Sequence, residues 1–467
     1  MRRSAPWILT LGLIAAVAWL LFSIRRDTPR RLLLTGGVVV TMDDARRVIP
    51  DGAVAIEGDR ILDVGPADEV KARVGHAQEI DTRGQIVLPG LVNTHTHAAM
   101  VLMRGLADDL PLMRWLNEYI FPAEAKVVSP EFVRAGTELA ALEMIESGTT
   151  TFGDMYYFEE AAAEAVKRAG LRAVLGQTVI KFKVNDAETP ELALARAERF
   201  ITAWKADPLI TPAVAPHAAY TLAPETLTAA RALASKYDVP LLIHLAETSD
   251  EIRILRDERR ATPVEYLDSL GIWNGRSLAA HAVWLTPADI QRLAARRVGL
   301  SHNPESNMKL ASGTAAVPAW LAAGIATGLG TDGAASNNDL DMFEAMRVAA
   351  LLHKLTSNNP ETMPAGQVLE LATRGGARAI GLADRIGSLE PGKQADVIAV
   401  SVAGARQTPM FDPVSHLVYV TRGSDVRTTI VAGRVLMREG RVRSLNRELV
   451  LKDARTAAAG VRQAVGK

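Results

Sequence analysis

The chain has 467 residues, its Lys and Arg balance its Asp and Glu at 53 each, and it contains no cysteine. That length accommodates a large barrel plus an accessory unit, and zero net charge excludes both the basic field of a nucleic-acid binder and the acidic tail of a solvating chain. Without cysteine there is no disulfide, no thiolate metal site and no cysteine nucleophile, so any metal must sit on His, Asp, Glu or a modified Lys.

Residues 6–24 (PWILTLGLIAAVAWLLFSI) are uncharged and long enough to cross a bilayer, with arginines on both flanks. Such a run is either an uncleaved anchor or a secretory signal with a small-residue site at Ala16-Val17-Ala18. The apolar stretch continues to Ile24, so the expectation is a transmembrane helix within residues 1–27. That implies a single-pass membrane location, with the side left open by arginines at both ends.

Short β-rich runs broken by Gly and Asp follow at 32–41 and 52–64, and return at 395–400 and 428–436. The simplest reading is one small β-sandwich domain built from both chain ends, residues 28–84 and 388–445, with a C-terminal helix or tail over 446–467. Between them, residues 85–387 alternate strand-like and helix-like segments. Apolar strands are expected at 84–92, 149–154, 172–180, 210–216, 240–245, 278–284, 298–301 and 325–331. Helices between them open on capping pairs such as Ser129-Pro130 and Thr286-Pro287. Strands alternating with helices call for a parallel sheet, and eight of them close a (β/α)8 TIM barrel of the α/β class.

In such barrels chemistry gathers at the C-terminal ends of the strands. Five of the nine histidines fall there: His95 and His97 on strand one, His217 on four, His244 on five and His281 on six, with Asp332 closing strand eight. Residues two apart on a strand face the same side, so His95 and His97 present two imidazoles to one point. With His244 and Asp332 they form a nitrogen-rich set with one carboxylate, suited to zinc, or to iron, rather than to calcium or magnesium. No Lys or Glu stands at the end of strand three or four to bridge a second ion, so one divalent metal is expected. Glu247, just past His244, is placed to carry a proton, and His281 to hydrogen-bond a reacting oxygen. The bland alternatives are a turn role for Asp332, helix capping for Glu247 and a core histidine for His281.

Pro89-Gly90-Leu91-Val92-Asn93-Thr94-His95-Thr96-His97, His244-Leu245-Ala246-Glu247, His281, Ser301-His302-Asn303-Pro304 and the run from Gly330-Thr331-Asp332-Gly333 to Asn338 resemble the amidohydrolase superfamily. Within it they are most similar to the 5-methylthioadenosine/S-adenosylhomocysteine deaminases and related chlorohydrolases. The resemblance implies hydrolytic removal of an exocyclic amine from an aromatic ring. His95, His97, His244 and Asp332 match the metal ligands, Glu247 the proton shuttle and His281 the strand-six histidine. It also implies that Glu124, in Phe121-Pro122-Ala123-Glu124, contacts ribose hydroxyls, that His217 contacts the nucleoside, and that Trp115 lines the pocket. An apolar helix face explains Trp115 equally well, and a solvated helix-start charge is the bland account of Glu124. Some members hold an amino-acid tail with arginines after strand three; here residues 177–185 read QTVIKFKVN, with only Lys181 and Lys183 as cations. A lysine lacks the planar bidentate fork.

The expected activity is deamination of an adenine nucleoside such as methylthioadenosine, S-adenosylhomocysteine or adenosine. Two alternatives stay open: hydrolysis of another ring substrate (a guanine, a pterin, a chlorinated triazine or a cyclic amide), and an inactive membrane-tethered binding protein. The expected partners are a small molecule, with no nucleic acid, a membrane through the N-terminal helix, and a second copy of the chain if it is a homo-oligomer. His76, His353 and His416 are read as structural, and His302 as structural or as support for the site.

Overall fold

The computed structural model describes residues 31–464. Strands β1 (Arg31–Val40), β2 (Val48–Glu57), β3 (Arg60–Pro66), β4 (Gln78–Asp81) and β5 (Gln85–Pro89) lead into the barrel strands. These are β6 (Leu91–Thr96), β7 (Thr149–Tyr156), β8 (Arg172–Val179), β9 (Ile210–Pro216), β10 (Leu241–Leu245), β11 (Ser277–His281), β12 (Gly299–His302) and β13 (Thr327–Leu329). The chain then returns to the first sheet as β14 (Val397–Ser401), β15 (Val426–Val431), β16 (Arg434–Arg438) and β17 (Arg441–Val442).

β6 to β13 form an eight-stranded parallel sheet in sequence order. Its last strand comes round to its first, leaving the barrel nearly closed. Asp332 donates its N–H to the His95 carbonyl at 3.0 Å, Thr94 Oγ1 donates to the Leu329 carbonyl at 2.9 Å, and Asn93 and Thr331 bond twice. Glycine makes this approach possible: a Cβ on Gly328 would lie 2.3 Å from Thr94 Cγ2. The strands are buried along nearly their whole length, as a sheet covered on both faces requires.

The expected first strand, 84–92, proves to be two. β5 pairs antiparallel with β14 in the other sheet, whereas β6 pairs with β7 in the barrel. The break is Gly90, whose N–H is held by the Asp396 carbonyl at 3.0 Å. A Cβ there would meet Thr150 at 2.1 Å, so only glycine lets the chain pass between sheets. Asp396 does more: its carboxylate takes Arg172 at 2.9 and 3.1 Å in a fully buried pair, tying a barrel strand to the accessory sheet.

The accessory strands join one nine-stranded sheet, where two facing sheets were expected. One edge of β1 is long enough to serve β4 at residues 32–35 and β5 at 38–39, and β5 in turn pairs with β14, which joins the strands from the two chain ends.

The membrane-spanning helix expected within residues 1–27 is corrected. That stretch lies outside the described residues, and no helix among those described is long and apolar enough to cross a membrane. The described helices carry one buried stripe against the sheets rather than an all-round apolar surface. Neither the transmembrane helix, nor the membrane location, nor a membrane partner is retained.

Candidate active site

The site is assembled from strand ends. His95 lies within β6 and His97 follows it, His244 lies within β10, His281 ends β11, His217 follows β9 and Asp332 lies just beyond β13. The strands are parallel and in order, so positions up to 237 residues apart arrive at one mouth. Several of these ends hold non-glycine residues in the left-handed region: Ala246 at φ 47°, His281 at 72°, Ala282 at 48° and Asp332 at 62°. Such conformations cost about 1–3 kcal/mol each and persist where surrounding bonds impose them.

His95 Nε2 and His97 Nε2 each lie 3.3 Å from Asp332 Oδ1, and His244 Nε2 lies 3.3 Å from His97 Nε2. The backs of these side chains are engaged. His97 Nδ1 meets the Met155 carbonyl at 2.7 Å and His244 Nδ1 the His217 carbonyl at 2.8 Å, which fixes the tautomers so that both Nε2 lone pairs face inward. Asp332 Oδ2 accepts from Ser306 and Ser336 at 2.6 and 2.8 Å. What remains is telling: His95 Nε2 and Asp332 Oδ1 are buried and have no hydrogen-bond partner. Buried polar atoms are usually paired, and here the two unpaired ones lie 3.3 Å apart among further imidazoles, so this donor set fits a divalent ion. Its three imidazoles and one carboxylate suit zinc.

The electrostatics agree. Burial lowers the proton affinity of His95 to about 4 and of His217 to about 3, and holds His244 well below its usual value. Burial works against ionisation of Asp332, yet the surrounding histidines keep its carboxyl well below the ordinary range. Neutral imidazoles and an ionised carboxylate are the forms that ligate. Burial opposes charge on His281 too, but Glu247, Asp332 and the bond to Asn307 raise its affinity for a proton. His281 Nδ1 lies 2.9 Å from Asn307 Oδ1, and its Nε2 lies 3.9 Å from Glu247 Oε2.

One cleft opens over this cluster. His97, His217, His244, Glu247, His281 and Asp332 line it together with Trp115 and Glu124 from the segment between β6 and β7, while His95 lies buried beneath. The indole N–H of Trp115 is buried without a partner. Glu124 accepts from the Tyr156 hydroxyl at 2.7 Å, and burial pushes its carboxyl up to about 7. Lys181 and Lys183 do not line this cleft; Lys183 turns outward to Glu188 at 2.8 Å. His302 is also elsewhere, its Nε2 3.1 Å from that of His353 in a buried pair.

Residues 86–436 match the amidohydrolase family, and residues 52–73 match the imidazolonepropionase-like composite domain of bacteria. This chain belongs to the amidohydrolase family. Among amidohydrolase relatives, a 5-methylthioadenosine/S-adenosylhomocysteine deaminase of Syntrophobacter fumaroxidans is 47% identical over 91% of this chain and 97% of its own. A 5′-deoxyadenosine deaminase of Methanosarcina acetivorans is 45% identical over 91% of this chain and 97% of its own. The crystal structure of an adenosine deaminase from Xanthomonas campestris with bound zinc superposes with a TM-score of 0.91 at 39% identity, covering 93% of this chain and 99% of that one.

Sequence reasoning missed several groups at this amidohydrolase site. Ser306 and Ser336 orient Asp332, Asn303 and Asn307 flank His281, and Glu251 lines the cleft. Asn303 lies in Ser301-His302-Asn303-Pro304 and Ser336 in the run from Gly330 to Asn338, but nothing in their spacing shows whom they touch.

Proposed function

We propose that this protein is a zinc-dependent hydrolytic deaminase of adenine nucleosides that favours neutral 5′ substituents. The observation that carries the reading is the meeting, in one cleft, of an unpartnered imidazole–carboxylate cluster, Glu247 beside His281, and a buried carboxylate, Glu124, further out. The relatives named as deaminases of methylthioadenosine, deoxyadenosine and adenosine support it.

His95, His97, His244 and Asp332 would hold a zinc ion, which when bound would lower the pKa of the water that serves as nucleophile. Glu247 accepts the proton of that water and delivers it to the ring nitrogen next to the amine-bearing carbon. His281, steadied through Nδ1 by Asn307, presents Nε2 to the attacking oxygen. A second proton passes through Glu247 to the amine. A C–O bond has then formed, the C–N bond breaks, and ammonia leaves as the ring carbonyl forms. Glu124 accepts from the ribose hydroxyls, and His217 and Trp115 bound the nucleoside.

The 5′ preference follows from the lining. Apolar groups such as Met100, Leu112, Leu116, Ile120 and Leu310 dominate it, and no Lys or Arg of the described residues contributes. A zwitterionic tail would lose hydration there with no cation to meet its carboxylate.

The test is ammonia release from adenosine and methylthioadenosine by the purified protein. Glu247→Gln should abolish turnover while zinc content stays at the wild-type level. An active Glu247→Gln, or no ammonia from either nucleoside, contradicts the reading.

A further inference from the structure

Thr248-Ser249-Asp250-Glu251 reads as a capping box, in which the Glu carboxylate returns to the Thr N–H at the start of a helix. The helix Ser249–Arg259 does begin there, but its cap is not built that way: Thr248 makes no side-chain cap bond. Instead Glu251 Oε2 accepts the N–H of Glu247 at 3.1 Å. Glu251 thus reaches past the helix start into the turn that carries the proton-transferring Glu247.

That turn is the strained one after β10, with Ala246 at φ 47°. Its outer polar groups are held as well. The Leu245 carbonyl accepts from Ala282 N at 2.8 Å and the Ala246 carbonyl from Trp284 N at 3.0 Å, joining it to the segment that bears His281. Carbonyls are fixed on one side by the neighbouring strand end, and the Glu247 N–H on the other by a single side chain.

Glu251 is also costly where it stands. It is 2% exposed, lines the cleft, and its Oε1 is buried with no hydrogen-bond partner. Burial pushes its carboxyl up to about 7. An exposed glutamate could cap a helix without that penalty.

We infer that Glu251 is a positioning residue for Glu247: by accepting the backbone N–H of Glu247 itself, it fixes the direction in which the Glu247 carboxylate points. The inference rests on the proposed role of Glu247 in deamination. Positioning of this kind governs turnover more than binding, since displacement of a reacting group by about 1 Å costs about 100-fold.

The experiment compares wild type, Glu251→Ala, Glu251→Gln and Glu251→Asp in adenosine deamination, with zinc content measured on each. Glu251→Ala should lower kcat about 10- to 100-fold with KM changed by less than about threefold and zinc unchanged. Glu251→Gln keeps an oxygen acceptor of the same reach and should restore kcat to within about fivefold of wild type. Glu251→Asp, one methylene shorter, should fall between, and it replaces the alanine variant in the comparison if that one does not fold. Three results overturn the inference beside an active wild type: a fully active alanine variant, a glutamine variant as slow as alanine, or a loss of activity that follows loss of zinc. A wild type that releases no ammonia from any adenine nucleoside overturns the functional reading itself.

Discussion

Glu124 offers a prediction that can be worked through from its surroundings. The side chain is buried, one oxygen is occupied by the Tyr156 hydroxyl at 2.7 Å, and the other is left for a ligand. A hydroxyl donating to a charged acceptor contributes about 1.5–3 kcal/mol, so deleting the ribose 2′-hydroxyl should lower kcat/KM about 10- to 150-fold. Adenosine against 2′-deoxyadenosine, followed by ammonia release, measures that ratio. In Glu124→Gln the charge is gone, and the ratio should shrink to about threefold or less. The pH dependence has a definite sign. Burial raises this carboxyl to about 7, so it protonates as pH falls through that value. The protonated carboxyl is an uncharged and weaker acceptor for the diol, so KM for adenosine should rise on the acid side while KM for 2′-deoxyadenosine stays flatter. Equal use of the two nucleosides by wild type, or an undiminished ratio in Glu124→Gln, would refute the assignment.

Further outcomes follow from the same geometry. Methylthioadenosine and 5′-deoxyadenosine should exceed S-adenosylhomocysteine in kcat/KM by about 100-fold, because a charged tail finds no cation in the lining; comparable values would show that the tail has a partner. Asp396→Ala should lower the unfolding free energy by about 3–5 kcal/mol in urea titrations, since it strands the buried Arg172 guanidinium. A loss below about 1 kcal/mol would mean that water or Gln394 takes over the charge.

Much of the site was readable because it depends on period and position. Alternate residues of a strand share a face, so His95 and His97 announced themselves, and strand-end placement brought His244, His281 and Asp332 to the same mouth. Supporting contacts were not readable, because they join residues whose separation carries no pattern: Ser306 to Asp332, Asn307 to His281, Tyr156 to Glu124. Glu251 was hidden by a motif that fits its spacing but not its bonds. The division at Gly90 was invisible for a related reason, as one apolar run serves two sheets and only the Thr150 side chain shows why glycine stands there. The membrane expectation rested on the hydropathy of residues 6–24 and their flanking arginines, a stretch outside the described residues, and no described helix is long and apolar enough to cross a membrane.

The central claim is that His95, His97, His244 and Asp332 hold one ion without which the adenine amine is not hydrolysed. Zinc content and ammonia release should be measured together on the purified protein, on chelator-treated protein, and after zinc is restored. The account predicts one zinc per chain, loss of adenosine deamination in step with its removal, and recovery on its return. Full activity in protein stripped of metal would contradict it.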